Sequence, residues 1–293
     1  MTAPAVDIAQ RAEAQLGETP LWDAPRGLLS WIDIELPTLH LLDPATGKAE
    51  SHARTGTYLG CQALTRSGRR LLARDLILET CAPDGRDTRR LARVPDEAMP
   101  DTRLNDGRVD AAGQLWIGTM DNALHRPLGA LYRVDGDGRV TPQISGVIVS
   151  NGIAFAPDGR AMWFTDTRRH LTWKLALDAD GRVTDQTIFA DYSGTGERLD
   201  GACVDQDGCL WQAVFAGGRI RRFTPDGRVD REIALPVTNP TCLCFGGPGL
   251  DTLFVTTATK FLTPDQRAAE PLAGSLLALA GVGRGLPENL FDA

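Results

Sequence analysis

Six copies of one pattern recur along this chain at nearly constant period. Each copy is an apolar strand, a tight glycine turn and a second apolar strand that often carries tryptophan. The copies read LWDAPRGLLSWID (21–33), ALTRSGRRLLARD (63–75), RVDAAGQLWIGTM (108–120), AFAPDGRAMWFTD (154–166), CVDQDGCLWQAVF (203–215) and CFGGPGLDTLFVTT (244–257). The aligned glycines are Gly27, Gly68, Gly113, Gly159, Gly208 and Gly249, between 41 and 49 residues apart. A second hairpin follows in most units, as in LHLLDPATGKAE (39–50), ALYRVDGDGRVT (130–141), WKLALDADGRVT (173–184) and IRRFTPDGRVDRE (220–232). Alternating apolar positions around a Gly/Asp/Pro turn are the signature of a β-hairpin. Two hairpins per unit give four antiparallel strands, and six units of about 45 residues match the blade length of a β-propeller. An all-β sandwich with coincidental spacing is the competing architecture, and six copies in phase argue against it.

The pattern therefore predicts one all-β domain over 1–293, a six-bladed β-propeller with four antiparallel strands per blade and a central channel. The sixth unit supplies GSLLALAGV (274–282) and then lacks a fourth strand. Val6–Ala14 is expected to provide it and so to join the last blade to the first, removing two open sheet edges.

In a propeller the first strand of each blade lines the channel. The position eight residues before each turn glycine then forms a ring, with Glu18 taken in the first unit because its turn is one residue longer. The ring reads Glu18, Gly60, Asn105, Asn151, Asp200 and Thr241. Five of the six carry side-chain oxygen, two are carboxylates and none is basic. Asn-Asp-Gly, Asn-Gly and Asp-Gly are also common turn sequences, but here the hairpin turn already lies eight residues downstream. Two carboxylates at one channel mouth are costly without a cation. Oxygen donors of this kind suit hard divalent ions. The loops after the second strands should overhang the mouth: 121–128, 167–170 and the long 258–273, which is either a lid or a solvated excursion.

Bulk properties narrow the functional classes. The net charge of −7 opposes a nucleic-acid partner. No apolar run has the length of a membrane-spanning helix. The N-terminus lacks the basic and apolar regions of a signal peptide. Six cysteines without CxxC spacing fit a reducing compartment, so the expected location is the cytoplasm. The four histidines, His40, His52, His125 and His170, make no sequence-local metal pair. A monomer or weak oligomer acting on a small molecule is the expectation.

GETPLW (17–22), RLNDGRVDAAGQLWIGTM (103–120), SNGIAFAPDG (150–159), LDGACVD (199–205) and CLCFGGPGLDTLFVTTA (242–258) resemble the gluconolactonase, regucalcin and senescence-marker-protein family from about residue 15 to 275. The resemblance implies a propeller with one catalytic divalent metal, which calcium, manganese, zinc, magnesium or iron(II) could supply, and hydrolysis of a sugar lactone. It implies Glu18, Asn151 and Asp200 as metal ligands. It further implies Arg103 and Asn105 as substrate contacts, although Arg103 can also be read as an ordinary ion-pair partner. Family members often carry acidic residues soon after Gly-Thr-Met; here the run is Asp121-Asn122-Ala123, so Asp121 is the substitute candidate. With no histidine in the ring, Asp200 is the candidate for proton transfer. Two other functions fit the same residues: hydrolysis of an aryl ester or organophosphate, and non-catalytic calcium binding.

Overall fold

The computed structural model describes residues 4–95 and 101–293. They form six four-stranded antiparallel sheets. The first strands are Gly17–Asp23, Leu59–Leu64, Thr102–Val109, Ser150–Phe155, Arg198–Val204 and Pro240–Gly246. Each touches the first strands of both neighbouring sheets, and the sixth touches the first. That cyclic order closes a six-bladed β-propeller. Burial follows: the first strands are almost wholly buried, whereas outer strands such as Lys48–Ala53 are exposed.

Local chemistry explains the turns and the blade cores. Asp110 and Asp205 occupy matching places before their turn glycines. One carboxylate oxygen of Asp110 accepts the N–H groups of Ala112 and Gln114 at 3.0 and 2.9 Å, and the other accepts the Trp116 indole N–H at 2.9 Å. Asp205 does the same for Asp207, Cys209 and Trp211. An Asx turn thus fixes the hairpin while satisfying a buried indole. Trp31, Trp116, Trp163 and Trp211 are almost completely buried. The turn glycines Gly27, Gly68, Gly113, Gly159 and Gly208 all have positive φ, which glycine adopts without steric cost. The sixth unit departs from the pattern. There Gly247 and Leu250 take positive φ and Gly249 does not, so the insertion in GGPGLD displaces the turn.

The first strands share one irregularity. In all six blades the register between first and second strand shifts at the ring position: between Glu18 and Leu21, Leu59 and Cys61, Leu104 and Gly107, Asn151 and Ala154, Leu199 and Ala202, and Pro240 and Leu243. An extra residue in one strand re-aims its side chains. The repeat therefore carries a bulge at the channel mouth in every blade.

Both ends of the chain close the ring. Asp7–Gln10 pairs antiparallel with Leu276–Ala280 as the outermost strand of the last blade. The Trp31 indole of the first blade donates to Gln10 Oε1 at 2.9 Å, tying the joint across blades. At the end of the channel away from the ring, residues 285–293 cross between blades. Gly285 bridges Asp205 and Phe291 bridges Thr65. Glu288 pairs with the inward Arg108 at 3.0 Å, and Phe291 is fully buried. The 258–273 excursion contains one short helix, Pro264–Ala269, with a reciprocal capping box between Thr263 and Gln266.

Candidate metal and substrate site

The bulges bring four of the six ring positions to one cavity. Glu18, Asn105, Asn151 and Asp200 line it together with Arg103, and its empty space is about 700 Å³ including the open mouth. The other two ring positions do not reach it. A Cβ on Gly60 would lie 2.3 Å from the Leu104 carbonyl oxygen, so that position is filled by backbone. The Thr241 hydroxyl is spent on the Gly17 carbonyl and Thr256.

A chain of hydrogen bonds orients the amides. Arg103 Nη1 donates to Asn105 Oδ1 at 2.6 Å and to the Leu104 carbonyl at 3.0 Å. Asn105 Nδ2 donates to Asn151 Oδ1 at 3.0 Å and to the Ser150 carbonyl at 2.8 Å. Asn151 Nδ2 donates to Thr167 Oγ1 at 2.9 Å, and Thr167 passes its own proton to the Leu199 carbonyl at 2.7 Å. Asn151 Oδ1 accepts one hydrogen bond in this row, from Asn105, which leaves its second lone pair for an electrophile. The Arg103 guanidinium lies over the Tyr58 ring, 5.1 Å from its centroid.

The electrostatics demand positive charge. Glu18 and Asp200 are each only 6 % exposed. Burial, reinforced by the charge of Asp106, pushes the Glu18 carboxyl up to about 8, against the opposing pull of the Thr19 N–H and Arg103. Burial, then Glu18 and Asp106, raise Asp200 well above the carboxylate range. Asp106 itself is raised by burial, partly offset by the Ile153 N–H and Arg108. Asp106 is the residue that the ring reading misses. Successive strand residues normally face opposite ways, but the bulge between Leu104 and Gly107 lets Asn105 and its neighbour both serve the channel. The Asn-Asp pair at the bulge was the available signal.

These donors fit a divalent cation. Two buried carboxylates whose charged forms are disfavoured without a counter-ion, beside an amide oxygen held in place, make a hard-oxygen set. Among the described residues no three His, Cys, Asp or Glu side chains form a metal cluster, so the set is complete only with Asn151. Thr19, next to Glu18, takes a positive φ of 41° and donates its N–H to Glu18 Oε2 at 2.9 Å. A β-branched residue there is a strained backbone position, and it fixes the carboxylate's direction.

Asp121 stands elsewhere. It is fully buried, and its carboxylate accepts the backbone N–H groups of Ala123, His125 and Arg126 and the Arg126 guanidinium. Burial alone would raise it, but Arg126 and those N–H groups hold it well below the usual carboxylate range. Asp33 and Asp166 end the second strands of their blades, Asp75 follows one, and all three staple backbone N–H groups in the same way. Asp121 therefore belongs to a repeated loop staple, and its neighbour Asn122 faces the cavity. The overhanging loops contribute Asn122, Leu124, Thr167, Arg168, Lys260 and Phe261 to the walls. Periodicity gave no sign of which loop residues these would be.

A propeller with two buried carboxylates converging at its channel mouth defines a class of ring-shaped binding and catalytic proteins. Within it, the chain belongs to the SMP-30/gluconolactonase/LRE-like family, whose model matches residues 16–259. A 6-deoxy-6-sulfogluconolactonase from Pseudomonas putida is 37% identical over 282 residues, covering 96% of both chains. A pentonolactonase from Haloferax volcanii is 34% identical, covering 95% of both. The solved structure of a calcium-binding regucalcin from Agrobacterium tumefaciens superposes with a TM-score of 0.94 at 30% identity, covering 99% of this chain and 98% of that one.

Proposed function

We propose that the protein hydrolyses a sugar lactone to its aldonic acid, with a divalent cation held by Glu18, Asn151 and Asp200. The observation that carries this reading is the juxtaposition of two buried, raised carboxyls with an aligned Arg103–Asn105–Asn151 row in one open cavity. The sugar-lactonase names of the relatives above give the substrate class. Calcium is the first ion to test, given the regucalcin neighbour. A bound cation supplies Lewis acidity toward the lactone carbonyl and acidifies water.

The chain's own groups do the rest. Arg103 offers its remaining N–H donors to the substrate oxygens and is held in orientation by Tyr58 and Leu104, while Asn105, whose two N–H groups are spent on Ser150 and Asn151, meets a substrate hydroxyl as an acceptor through Oδ1. Asp200 takes the proton of the attacking water and returns it to the ring oxygen as the ester C–O bond breaks. Burial, then the charges of Glu18 and Asp106, keep the proton affinity of Asp200 high, which suits it to accept a proton. Six free, buried cysteines support a reducing, cytoplasmic setting.

A panel of aldonolactones, assayed by acid release after chelation and after return of calcium, magnesium, manganese or zinc, tests the proposal. Hydrolysis lost on chelation and restored by a cation supports it. Equal hydrolysis in chelator rejects the cation, and cation binding without hydrolysis of any lactone or ester favours a non-catalytic calcium binder.

A further inference from the structure

Two arginines of the cavity lining pair with no acid among the described residues. Arg168 lies in the turn after the second strand of the fourth blade, Ala161–Asp166, and lines the cavity half-buried. Its Nε donates to the Leu124 carbonyl of the neighbouring overhang at 2.9 Å. Neither terminal nitrogen has a hydrogen bond or ion pair to a described residue. Arg198 opens the first strand of the fifth blade, two residues before Asp200, and is also half-buried in the wall. Its partner across the ladder is Phe215, which lines the same wall. The Arg198 guanidinium has no hydrogen bond or ion pair to a described residue.

Nearby carboxylates are committed elsewhere. Glu197 is taken by Arg219 and Arg221. Asp166 is taken by Arg169 at 3.2 Å and by backbone N–H groups. Lys260, which lies over the Phe261 ring, is neutralised by Glu35. Burial and then the charges of Arg168 and Arg198 hold the His170 imidazole below its usual range, which sets both cations within electrostatic reach of one ring. The described lining holds four cations, Arg103, Arg168, Arg198 and Lys260, against Glu18, Glu35 and Asp200. A divalent ion on Glu18 and Asp200 leaves Glu35 alone against all four.

Half-buried guanidiniums without a counter-charge are an unmet demand for an oxyanion, which their planar donor array fits in bidentate fashion. We infer that Arg168 and Arg198 form an anion-binding end of the substrate cavity, so that the preferred lactone carries a sulfonate, phosphate or carboxylate at the end of its carbon chain remote from the lactone carbonyl. The inference rests on the lactonase reading for its substrate and on the two arginines for its charge. The reacting lactone lies over the floor at Asp200 while the anionic tail lies at the rim, an arrangement in which tail binding fixes the orientation of the carbonyl.

The test compares neutral glucono-δ-lactone with analogues bearing sulfonate or phosphate at C6, or a carboxylate in its place. The readout is the ratio of kcat/KM for each anionic lactone to that for the neutral one. The wild-type protein is expected to favour one anionic lactone by tenfold or more, and the analogue preferred names the anion. In Arg168→Gln and Arg198→Gln the ratio should fall by about tenfold each, through KM rather than kcat, as for loss of a charge-assisted hydrogen bond. Because it is a ratio, general damage to folding or to the floor cancels. Equal wild-type rates on neutral and anionic lactones, or a ratio unmoved by both substitutions, overturn the inference and leave the lactonase reading standing. If no lactone is hydrolysed, calorimetry with the C6-sulfonated, C6-phosphorylated and unsubstituted aldonates decides it: tighter binding of an anionic-tail aldonate, lost in the double variant, sustains the anion site. Equal binding removes it.

Discussion

Asn105 Nδ2 lies 3.0 Å from Asn151 Oδ1, and this hydrogen bond joins the third blade to the fourth at the channel mouth. It makes the substrate-side asparagine the group that orients the proposed cation ligand. The two residues occupy the same position in consecutive repeats, so their contact follows from the ring closing rather than from sequence proximity.

Asn105→Ala should therefore weaken cation binding although Asn105 is not itself a proposed ligand. Loss of a partner that orients a metal ligand typically costs about 10- to 100-fold in affinity. Calorimetric titration of the chelated protein with calcium or manganese reads it. An unchanged dissociation constant would show that Asn151 is held by Thr167 alone.

Asp200 and Asp121 should separate cleanly on substitution. Asp200→Asn is expected to lower kcat on any lactone turned over by about a thousandfold or more, with little loss of melting temperature, because it removes a buried charge that the fold disfavours. Asp121→Ala should instead cost stability, about 1–3 kcal/mol for the unsatisfied buried N–H groups it leaves. Urea unfolding and steady-state assays on both variants check the division. A stable, inactive Asp121→Ala would return that residue to the reaction.

The cation-free protein should lose stability as pH rises. The Glu18 carboxyl moves from 4.5 in an open chain to about 8 in the fold. The folded state thus binds the proton more tightly, and its contribution is full below pH 4.5 and declines as pH climbs through 8. Melting temperature in chelator should fall between pH 5 and 8, and Glu18→Gln should flatten that slope. Saturating divalent cation should reduce or reverse the slope, because it binds the deprotonated form. A slope identical in the wild type and Glu18→Gln would assign the pH dependence to other groups.

Removal of residues 1–14 should destabilise the whole ring rather than one blade. The truncation deletes the Asp7–Gln10 strand and the Gln10 acceptor of the Trp31 indole, and it exposes the Leu276–Ala280 edge. A single unfolding transition at markedly lower urea, together with aggregation through the free edge, is the expected result. Unchanged stability would show that the outer strand is dispensable.

Much of the architecture was legible because a propeller repeats its chemistry. The spacing of turn glycines specified six blades, and the phase of the ring brought Glu18, Asn105, Asn151 and Asp200 to one mouth. Periodicity carries that information because one strand of each blade must line the channel at the same height. The division between ligand and substrate roles came from the family resemblance, not from spacing.

Other features depended on how the ring closes. Asp121 could be separated from the site only when its loop was seen to fold back on the carboxylate. Asp106 came to the channel through a bulge, which changes the facing of residues without changing their spacing. The crossing of residues 285–293 between blades, and Arg168 and Arg198 with no acid among the described residues, have no repeat partners to announce them. The sequence by itself determined the blades and the ring, since these depend on local periodicity. Tertiary structure alone decided which charges go unpaired at the mouth, since pairing depends on side chains from different blades meeting in space.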